Sequence, residues 1–247
     1  MRQAMIFAAG LGTRLKPLTD TMPKALVPVG GQPLLYHVVM RLKAAGFERI
    51  VVNVHHFADQ IIDYLHDNNH FGLDIRVSDE REKLLETGGG IKKAMPLFES
   101  DSPILIHNVD ILSNINLSTL YEQAQQTDAL LLVSQRQTKR YLLFDETFRL
   151  QGWTNIETGE LKGPVANNPG LMADSQLKRL AFSGIHVFHP SLFARMEEWG
   201  DRFPIIDFYL RNCDRAKVMG REQKDLRLLD VGKLDTLQAA EDFLNEL

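Results

Sequence analysis

The stretch Ala4-Met-Ile-Phe-Ala-Ala-Gly-Leu-Gly-Thr-Arg14 joins an apolar run directly to a loop with two glycines. The apolar residues Ala4–Ala8 predict a buried strand. Gly10 and Gly12 let the backbone bend and approach a ligand, with N–H groups that can face phosphate oxygens. Arg14 adds a fixed charge whose planar guanidinium suits phosphate. By itself the loop is compatible with phosphate binding or with a structural turn.

After this strand, the first half of the chain alternates strand-like and helix-like segments. Further strands are predicted at Arg49–Val54, Leu73–Val77, Pro103–Val109 and Ala129–Ser134, and helices at Pro33–Ala45, Asp59–His66, Ile91–Phe98 and Leu117–Ala124. Such alternation predicts an α/β fold with a mostly parallel sheet and helices on both faces. Ligands of such sheets bind beyond the carboxyl ends of the strands, so functional residues are expected there.

Residues 136–178 interrupt the alternation with four glycines, two prolines and a series of aromatic residues. We predict an inserted hairpin or small subdomain followed by a loop, which shapes the lip of a pocket. The alternation then resumes, with strands at 178–188 and from Val218 and helices at 190–196, 205–210 and 234–244. Because no internal repeat, low-complexity tract or linker is found, the sequence favours one domain over residues 1–247.

The composition excludes several classes of protein. With 247 residues, 44% hydrophobic and 24% charged, the chain is globular rather than collagenous, coiled-coil or disordered. A net charge of −4 argues against a protein that binds nucleic acid by general electrostatics. Cys213 is the only cysteine, which excludes an internal disulfide and a cysteine-based zinc site and favours a cytoplasmic protein.

No apolar run approaches the ~20 residues that a membrane-spanning helix needs, so no membrane partner is expected. Residues 4–9 resemble the apolar core of a signal peptide for a short distance. Gly10, Arg14 and Lys16 follow at once, which leaves that core short and poorly flanked. A buried first strand is therefore the preferred interpretation.

Two familiar phosphate-binding fingerprints do not match the loop. The dinucleotide fingerprint needs a third glycine where Leu15 and Lys16 stand, and an acid at the end of the second strand, which finishes Val54-His55-His56. A Walker A loop needs Gly-Lys-Ser/Thr, but Gly12 is followed by Thr-Arg. The next useful lysine is Lys24, and Pro23 and Pro28 predict that it lies on a stiff, extended segment rather than on a free loop.

Two acidic residues lie at the predicted carboxyl ends of strands, Asp110 after Ile104–Val109 and Asp230 after Leu226–Leu229. Mg²⁺ takes one or two carboxylates together with substrate phosphates and water. Either acid alone could equally be a helix cap or a turn residue.

The segment Leu84-Leu-Glu-Thr-Gly-Gly-Gly-Ile91 is predicted to precede a helix. Three consecutive glycines lose much chain entropy on folding, so close approach to a ligand or to another strand would explain them. A flexible connector is the alternative.

Taken together, several segments resemble the signature of sugar-1-phosphate nucleotidyltransferases: Ala8-Ala-Gly-Leu-Gly-Thr-Arg14, Pro17-Leu-Thr19, Pro23-Lys24 and Pro28-Val-Gly-Gly-Gln-Pro33. That family joins a nucleoside triphosphate to a sugar 1-phosphate and releases pyrophosphate, on a Rossmann-like mixed sheet. Leu84–Ile91 is particularly similar to the branch that transfers UMP from UTP to N-acetylmuramate 1-phosphate in peptidoglycan recycling. The resemblance covers nearly the whole chain and weakens in residues 136–178.

The resemblance implies roles for particular residues. Catalysis is expected of Arg14 and Lys24, and Mg²⁺ is expected on Asp110 and Asp230. Nucleotide binding is expected of Ala8, Gly10, Gly12, Thr13, Arg14, Lys24, Glu86, Thr87, Gly88 and Asn108. The sugar phosphate is expected to contact Glu86 and Gly184.

Two departures from the family pattern affect these expectations. Val109 stands where a glycine is commoner before the Asp, and the inserted region, which should help to form the sugar pocket, is longer than in that branch. The open alternatives are a guanylyl-, thymidylyl- or cytidylyltransferase for another sugar 1-phosphate or phosphocholine, and a non-catalytic nucleotide-sugar sensor. The expected partners are small molecules, with the chain as a monomer or small homo-oligomer.

Overall fold

The computed structural model describes residues 1–168, 170 and 177–246. The strands are β1 Gln3–Phe7, β2 Pro28–Val29, β3 Gln32–Pro33, β4 Arg49–Val54, β5 Asp74–Asp79, β6 Ile104–Asn108, β7 Ile111–Ser113, β8 Ala129–Ser134, β9 Arg140–Phe144, β10 Leu150–Asn155, β11 Leu161–Lys162, β12 Lys178–Phe188, β13 Val218–Glu222 and β14 Leu228–Asp230. The helices are α1 Leu34–Ala44, α2 Ala58–Asp67, α3 Glu86–Ala94, α4 Leu117–Gln123, α5 Pro164–Asn167, α6 Phe193–Met196, α7 Ile205–Asn212 and α8 Leu237–Asn245.

The central sheet runs in the order β5-β4-β1-β6-β12-β8-β13. Strand β1 is parallel to β4 and β6, β4 is parallel to β5, and β8 is parallel to β13. Strand β12 alone among these seven runs antiparallel to its two neighbours, β6 and β8. The predicted α/β fold, with a mixed and mostly parallel sheet flanked by helices, is confirmed.

The first strand is apolar from Ala4 to Phe7 because both of its faces are buried. Ala4 and Ile6 belong to a core on one side of the sheet that includes Leu35 and Val38 of α1. Met5 belongs to the core on the other side, which also holds residues of α3 and α7. Central parallel strands covered by helices on both faces give continuous apolar runs rather than alternating ones.

The inserted region extends the same sheet. Strands β9, β10 and β11 form an antiparallel meander, and β9 pairs with the first residues of β12. The predicted hairpin is therefore present. Part of the predicted loop, residues 169 and 171–176, lies outside the described residues.

Two local expectations were wrong. The glycines at 88–90 do not precede a helix, because α3 begins at Glu86 and contains them. Lys24 is not on an extended segment: the chain is extended at Pro23 and Val27, but Lys24–Leu26 form a 3-10 turn between them, closed by a Val27 N–H bond to the Lys24 carbonyl. Within the described ranges, no helix is long and apolar enough to cross a membrane.

Candidate active site

A cleft of about 460 Å³ opens at the carboxyl ends of β1, β4, β5 and β6. Ten of the residues expected from sequence line it: Ala8, Gly10, Gly12, Thr13, Arg14, Lys24, Glu86, Thr87, Asn108 and Asp110. The strand-end rule therefore located the cleft correctly. The expected residues Gly88, Gly184 and Asp230 do not line it, and each has a different position.

The glycine loop is shaped by contacts around Gly12. Its φ of +64° lies in the left-handed region that favours glycine. A Cβ at this position would lie 2.8 Å from Thr19 Cγ2 and 3.0 Å from Lys24 Cβ. The Gly12 carbonyl accepts hydrogen bonds from Leu15 N (2.8 Å) and from Thr19 Oγ1 (2.8 Å). The absence of a side chain at Gly12 thus allows the loop to pack directly on the segment that carries Lys24.

Lys24 and Asp110 form an ion pair in the wall of the cleft, between Nζ and Oδ2. The Lys24 side chain is 9% exposed and that of Asp110 is 19% exposed, so water screens the pair weakly. Lys24 is therefore held in place, unlike an ordinary surface lysine. Its ammonium lies where it can neutralise an anionic ligand that reaches Asp110.

Asp230 lies beside Asp110 rather than in the cleft lining. Strand β14 pairs with β7 so that Asp230 is opposite Ile111, and Val231 N donates to the Asp110 carbonyl (2.8 Å). A Cβ on Gly232 would lie 2.6 Å from Asp230 Oδ1 and 2.8 Å from Arg14 Nη2. Two acids and two cations distant in sequence are thus brought to one edge of the cleft.

The donor set suits a magnesium ion that completes its coordination on substrate. Among the described residues, no group of three or more His, Cys, Asp or Glu side chains is placed to hold a metal. The carboxylates of Asp110 and Asp230 remain, on two residues whose backbones adjoin through the hydrogen bond from Val231 N to the Asp110 carbonyl. Two carboxylates plus phosphate oxygens and water are the ligands that Mg²⁺ prefers.

The start of α3 forms the opposite wall. Glu86 and Thr87 line the cleft, and Thr87 Oγ1 accepts from Ile205 N (2.9 Å). Gly88 instead faces away from the cleft. Its N–H donates to the Phe203 carbonyl (2.8 Å), and a Cβ would overlap the Phe203 ring. The expected nucleotide contact at Gly88 thus has no support in the geometry, because this glycine serves helix packing.

Gly184 lies behind the cleft. Its φ is +74°, and a Cβ there would lie 2.8 Å from Asn108 Nδ2. Gly184 sits where the β12–β8 register shifts, between Phe182 and His186. It therefore supports Asn108, a lining residue, and does not itself face the cavity.

The described part of the inserted region does not form the lip of this cleft, contrary to expectation. It lines a neighbouring groove of about 510 Å³, with Arg136, Arg140 and Trp153 on the insertion side and Ile206 and Asp207 opposite. Because β12 runs antiparallel to β6 with Ile185 opposite His107, its first residues, which pair with β9, lie beyond the carboxyl end of β6. The meander therefore lies on the carboxyl-end side of the sheet, beside the cleft rather than in its lining.

Asn53 and Glu80 also line the cleft, and the sequence analysis did not identify them as site residues. Asn53 is a polar residue inside the buried run Ile50-Val-Val-Asn-Val54, and Glu80 directly follows β5. The strand-end rule applied to β5 as well as to β6 would have found Glu80. Asn53 could have been found as an amide in an otherwise apolar strand.

The cleft combines a glycine loop, a buried and ion-paired lysine, and two neighbouring aspartates. Such a set of groups is suited to binding and activating a polyphosphate. Residues 3–144 match the nucleotidyl transferase family, and the chain belongs to that family.

Two relatives and one solved structure illustrate the similarity. The N-acetylmuramate alpha-1-phosphate uridylyltransferase of Neisseria meningitidis is 32% identical over 249 residues, covering 97% of this chain and 96% of that protein. The Caulobacter vibrioides enzyme of the same name is 50% identical over 109 residues, 43% of this chain and 45% of that protein. HddC from Yersinia pseudotuberculosis, complexed with GMP-PN, has a TM-score of 0.76 at 22% identity, over 99% of this chain and 100% of that one.

Proposed function

We propose that this sugar-1-phosphate nucleotidyltransferase transfers UMP from UTP to N-acetylmuramate 1-phosphate and releases pyrophosphate, as a cytoplasmic step of peptidoglycan recycling. The observation that carries the proposal is the 32% identity to the Neisseria uridylyltransferase over 97% of the chain. The lining residues Glu86 and Thr87, from the segment most similar to that branch, add support.

The chain's own residues can supply most of the catalysis. A phosphate nucleophile is already ionised, so in-line attack on the α-phosphorus needs no general base, and catalysis consists of positioning and charge stabilisation. The N–H groups of Gly12–Arg14 would hold the β- and γ-phosphates, and Arg14 would stabilise the departing pyrophosphate. Lys24 would neutralise the charge that grows at the α-phosphate, because its ammonium is fixed beside Asp110.

Asp110 and Asp230 would hold Mg²⁺. When bound, the ion supplies charge neutralisation of the phosphate oxygens that react.

The groove beside the insertion is our candidate for acceptor recognition. It carries the exposed Arg136 and Arg140, and neither forms an ion pair among the residues that the structure describes. Phe182 lines this groove, and Gly184, about 7 Å further along β12, supports Asn108 in the cleft. N-acetylmuramate bears a carboxylate that N-acetylglucosamine lacks, and two arginines would favour it.

The experiment is a pyrophosphate-release assay with N-acetylmuramate 1-phosphate, in which UTP, dTTP, GTP and CTP are offered separately with and without Mg²⁺. We expect release with UTP only, and only with Mg²⁺. Release with another nucleotide would refute the uridylyl assignment and preserve the family chemistry.

A second panel tests the acceptor. Glucose, mannose, glucosamine and heptose 1-phosphates, together with N-acetylglucosamine 1-phosphate and phosphocholine, should react at least tenfold more slowly than N-acetylmuramate 1-phosphate. A faster rate with any of them would overturn the acceptor assignment. If no combination of nucleoside triphosphate and acceptor releases pyrophosphate, a non-catalytic nucleotide-sugar sensor is favoured.

A further inference from the structure

Glu80 is a fully buried carboxylate in the wall of the cleft, and the proposed mechanism does not use it. Its Oε1 accepts from Asn53 Nδ2 at 2.7 Å, and its Oε2 accepts from the backbone N–H of Leu85 at 3.2 Å. Its own backbone is fixed by a bond from Glu80 N to the Val54 carbonyl (2.7 Å). Both carboxylate oxygens are therefore committed to donors inside the protein.

Asn53 extends this contact to the other side of the cleft. Its Oδ1 accepts from Ala8 N at 2.7 Å and from Ala9 N at 3.3 Å, at the point where β1 becomes the glycine loop. Leu85, the donor to Glu80, immediately precedes α3. The two side chains thus connect the beginning of the glycine loop to the beginning of α3.

The absence of a side chain at Gly90 leaves room for the hydrogen-bonded side chains of Glu80 and Asn53. This residue lies inside α3, where a glycine costs about 1 kcal/mol relative to alanine. A Cβ on Gly90 would lie 2.9 Å from Glu80 Oε1 and 3.2 Å from Asn53 Nδ2. An alanine would therefore displace the pair, which explains a residue unfavourable to the helix.

A buried carboxylate that is hydrogen-bonded to an amide contributes little net stability. A protein with apolar residues of the same volume at these positions is often as stable or more stable. Burial also raises the pKa of Glu80. What an apolar pair cannot do is fix the backbone N–H groups of two separate segments in relation to each other.

We propose that Glu80 and Asn53 are positioning residues that set the spacing between the glycine loop and the start of α3, and thereby the affinity for the nucleoside triphosphate. The inference extends the nucleotidyl transfer of the family, and only the choice of UTP as the probe rests on the proposed function. Neither side chain needs to touch the substrate or to change protonation.

Exchanging the chemistry of the two side chains tests the proposal. In Glu80→Gln, the new NH2 group points at another donor, either Leu85 N or Asn53 Nδ2. In Asn53→Asp, two carboxylates face each other. In the double variant, the new glutamine amide donates to the new aspartate and accepts from Leu85 N, while the aspartate also accepts from Ala8 N and Ala9 N. All four hydrogen bonds are restored with the polarity of the pair reversed.

We expect each single variant to raise the Kd for UTP, measured calorimetrically with Mg²⁺, and its KM at least tenfold. The double variant should return both values to within about threefold of wild type. Asn116→Asp and Glu122→Gln are the charge-matched controls, because these residues lie on the α4 side of the molecule and do not line the cleft. Both controls should bind UTP normally.

If a single variant does not fold, Gly90→Ala replaces it, since this change presses on the pair from α3 and should also raise the Kd. The proposal is overturned if the single variants and Gly90→Ala lower the Tm but leave the Kd and KM unchanged, which would mean a purely structural role. A folded double variant without rescue would also overturn it. If the wild type prefers another triphosphate, that nucleotide becomes the probe: the uridylyl assignment then fails and the positioning role is still tested.

Discussion

At the scale of single residues, Lys24 shows how burial changes what a charged side chain can do. In sequence it is one of many cations in a chain with 28 lysines and arginines. In the structure its side chain is 9% exposed, paired with Asp110, and packed against the loop at Gly12. A preorganised charge in a poorly hydrated site stabilises developing charge far more than a mobile charge in water.

Lys24→Ala should lower kcat about 10²–10³-fold, the typical cost of losing one preorganised group in such a site. The fold should be retained, since Asp110 at the cleft edge can be rehydrated. Steady-state pyrophosphate release and circular dichroism measure the two effects. Lys16→Ala is the matched control, because Lys16 lies close to the same loop and its side chain, which pairs with Asp20, is 61% exposed. A folded Lys24→Ala variant with the rate of the control would remove Lys24 from the mechanism.

At the scale of elements, the glycines of α3 show that one sequence pattern can have two explanations. Three glycines suggest ligand approach, yet Gly88 and Gly89 let α3 lie against the segment 201–203, and Gly90 makes room for Glu80. The spacing of the residues could not distinguish these cases, because the partner segment is more than a hundred residues away. Only the packed structure shows which backbone approaches the helix.

Gly89→Ala should destabilise the protein by about 1–3 kcal/mol, the usual cost of overpacking. The new Cβ would overlap the Asp201 carbonyl oxygen, which outweighs the gain of up to about 1 kcal/mol in helix propensity. Urea denaturation at neutral pH measures the change. Gly200→Ala, in the facing segment, has no atom within 4 Å of its new Cβ and is the control. Equal midpoints for the two variants would contradict the packing explanation.

At the scale of the whole molecule, burial of histidines couples the fold to pH. His107 and His186 are almost fully buried in the central sheet, and burial lowers the pKa of His107 to about 4 and that of His186 to about 3. Their pKa in the unfolded chain is about 6.5. As the pH falls below 6.5, the unfolded chain binds protons that the folded chain does not, so stability decreases with acidification.

Between pH 7 and pH 5 each histidine should therefore remove about 2 kcal/mol from the free energy of unfolding. Urea denaturation at the two pH values gives the loss. The His186→Phe variant should lose about 2 kcal/mol less than wild type over this interval, since the Phe ring replaces a neutral ring that packs edge-on against Tyr209. An identical loss in wild type and variant would show that His186 does not contribute to the pH dependence.

Much of the fold and part of the candidate site could be predicted from the sequence. The alternation of apolar runs and helical faces indicated the α/β class, because strands covered by helices on both faces form nearly continuous apolar runs. The rule that ligands bind at strand ends identified Asp110, since it needs only the boundaries of each strand. Asn108 came from the family resemblance instead. Glycine and proline spacing identified the loop at 8–14, though not the 3-10 turn at Lys24.

Local patterns along the chain were enough to establish the class of fold, the family signature and most of the residues that line the cleft. The folded structure was needed to show which distant residues meet. It paired Lys24 with Asp110, brought Asp230 beside them through β14, placed Gly88 and Gly184 in packing positions, and joined Glu80 to Asn53. The physical reason is that burial and hydrogen bonding depend on what approaches a residue in space, and residues far apart in sequence provide those neighbours.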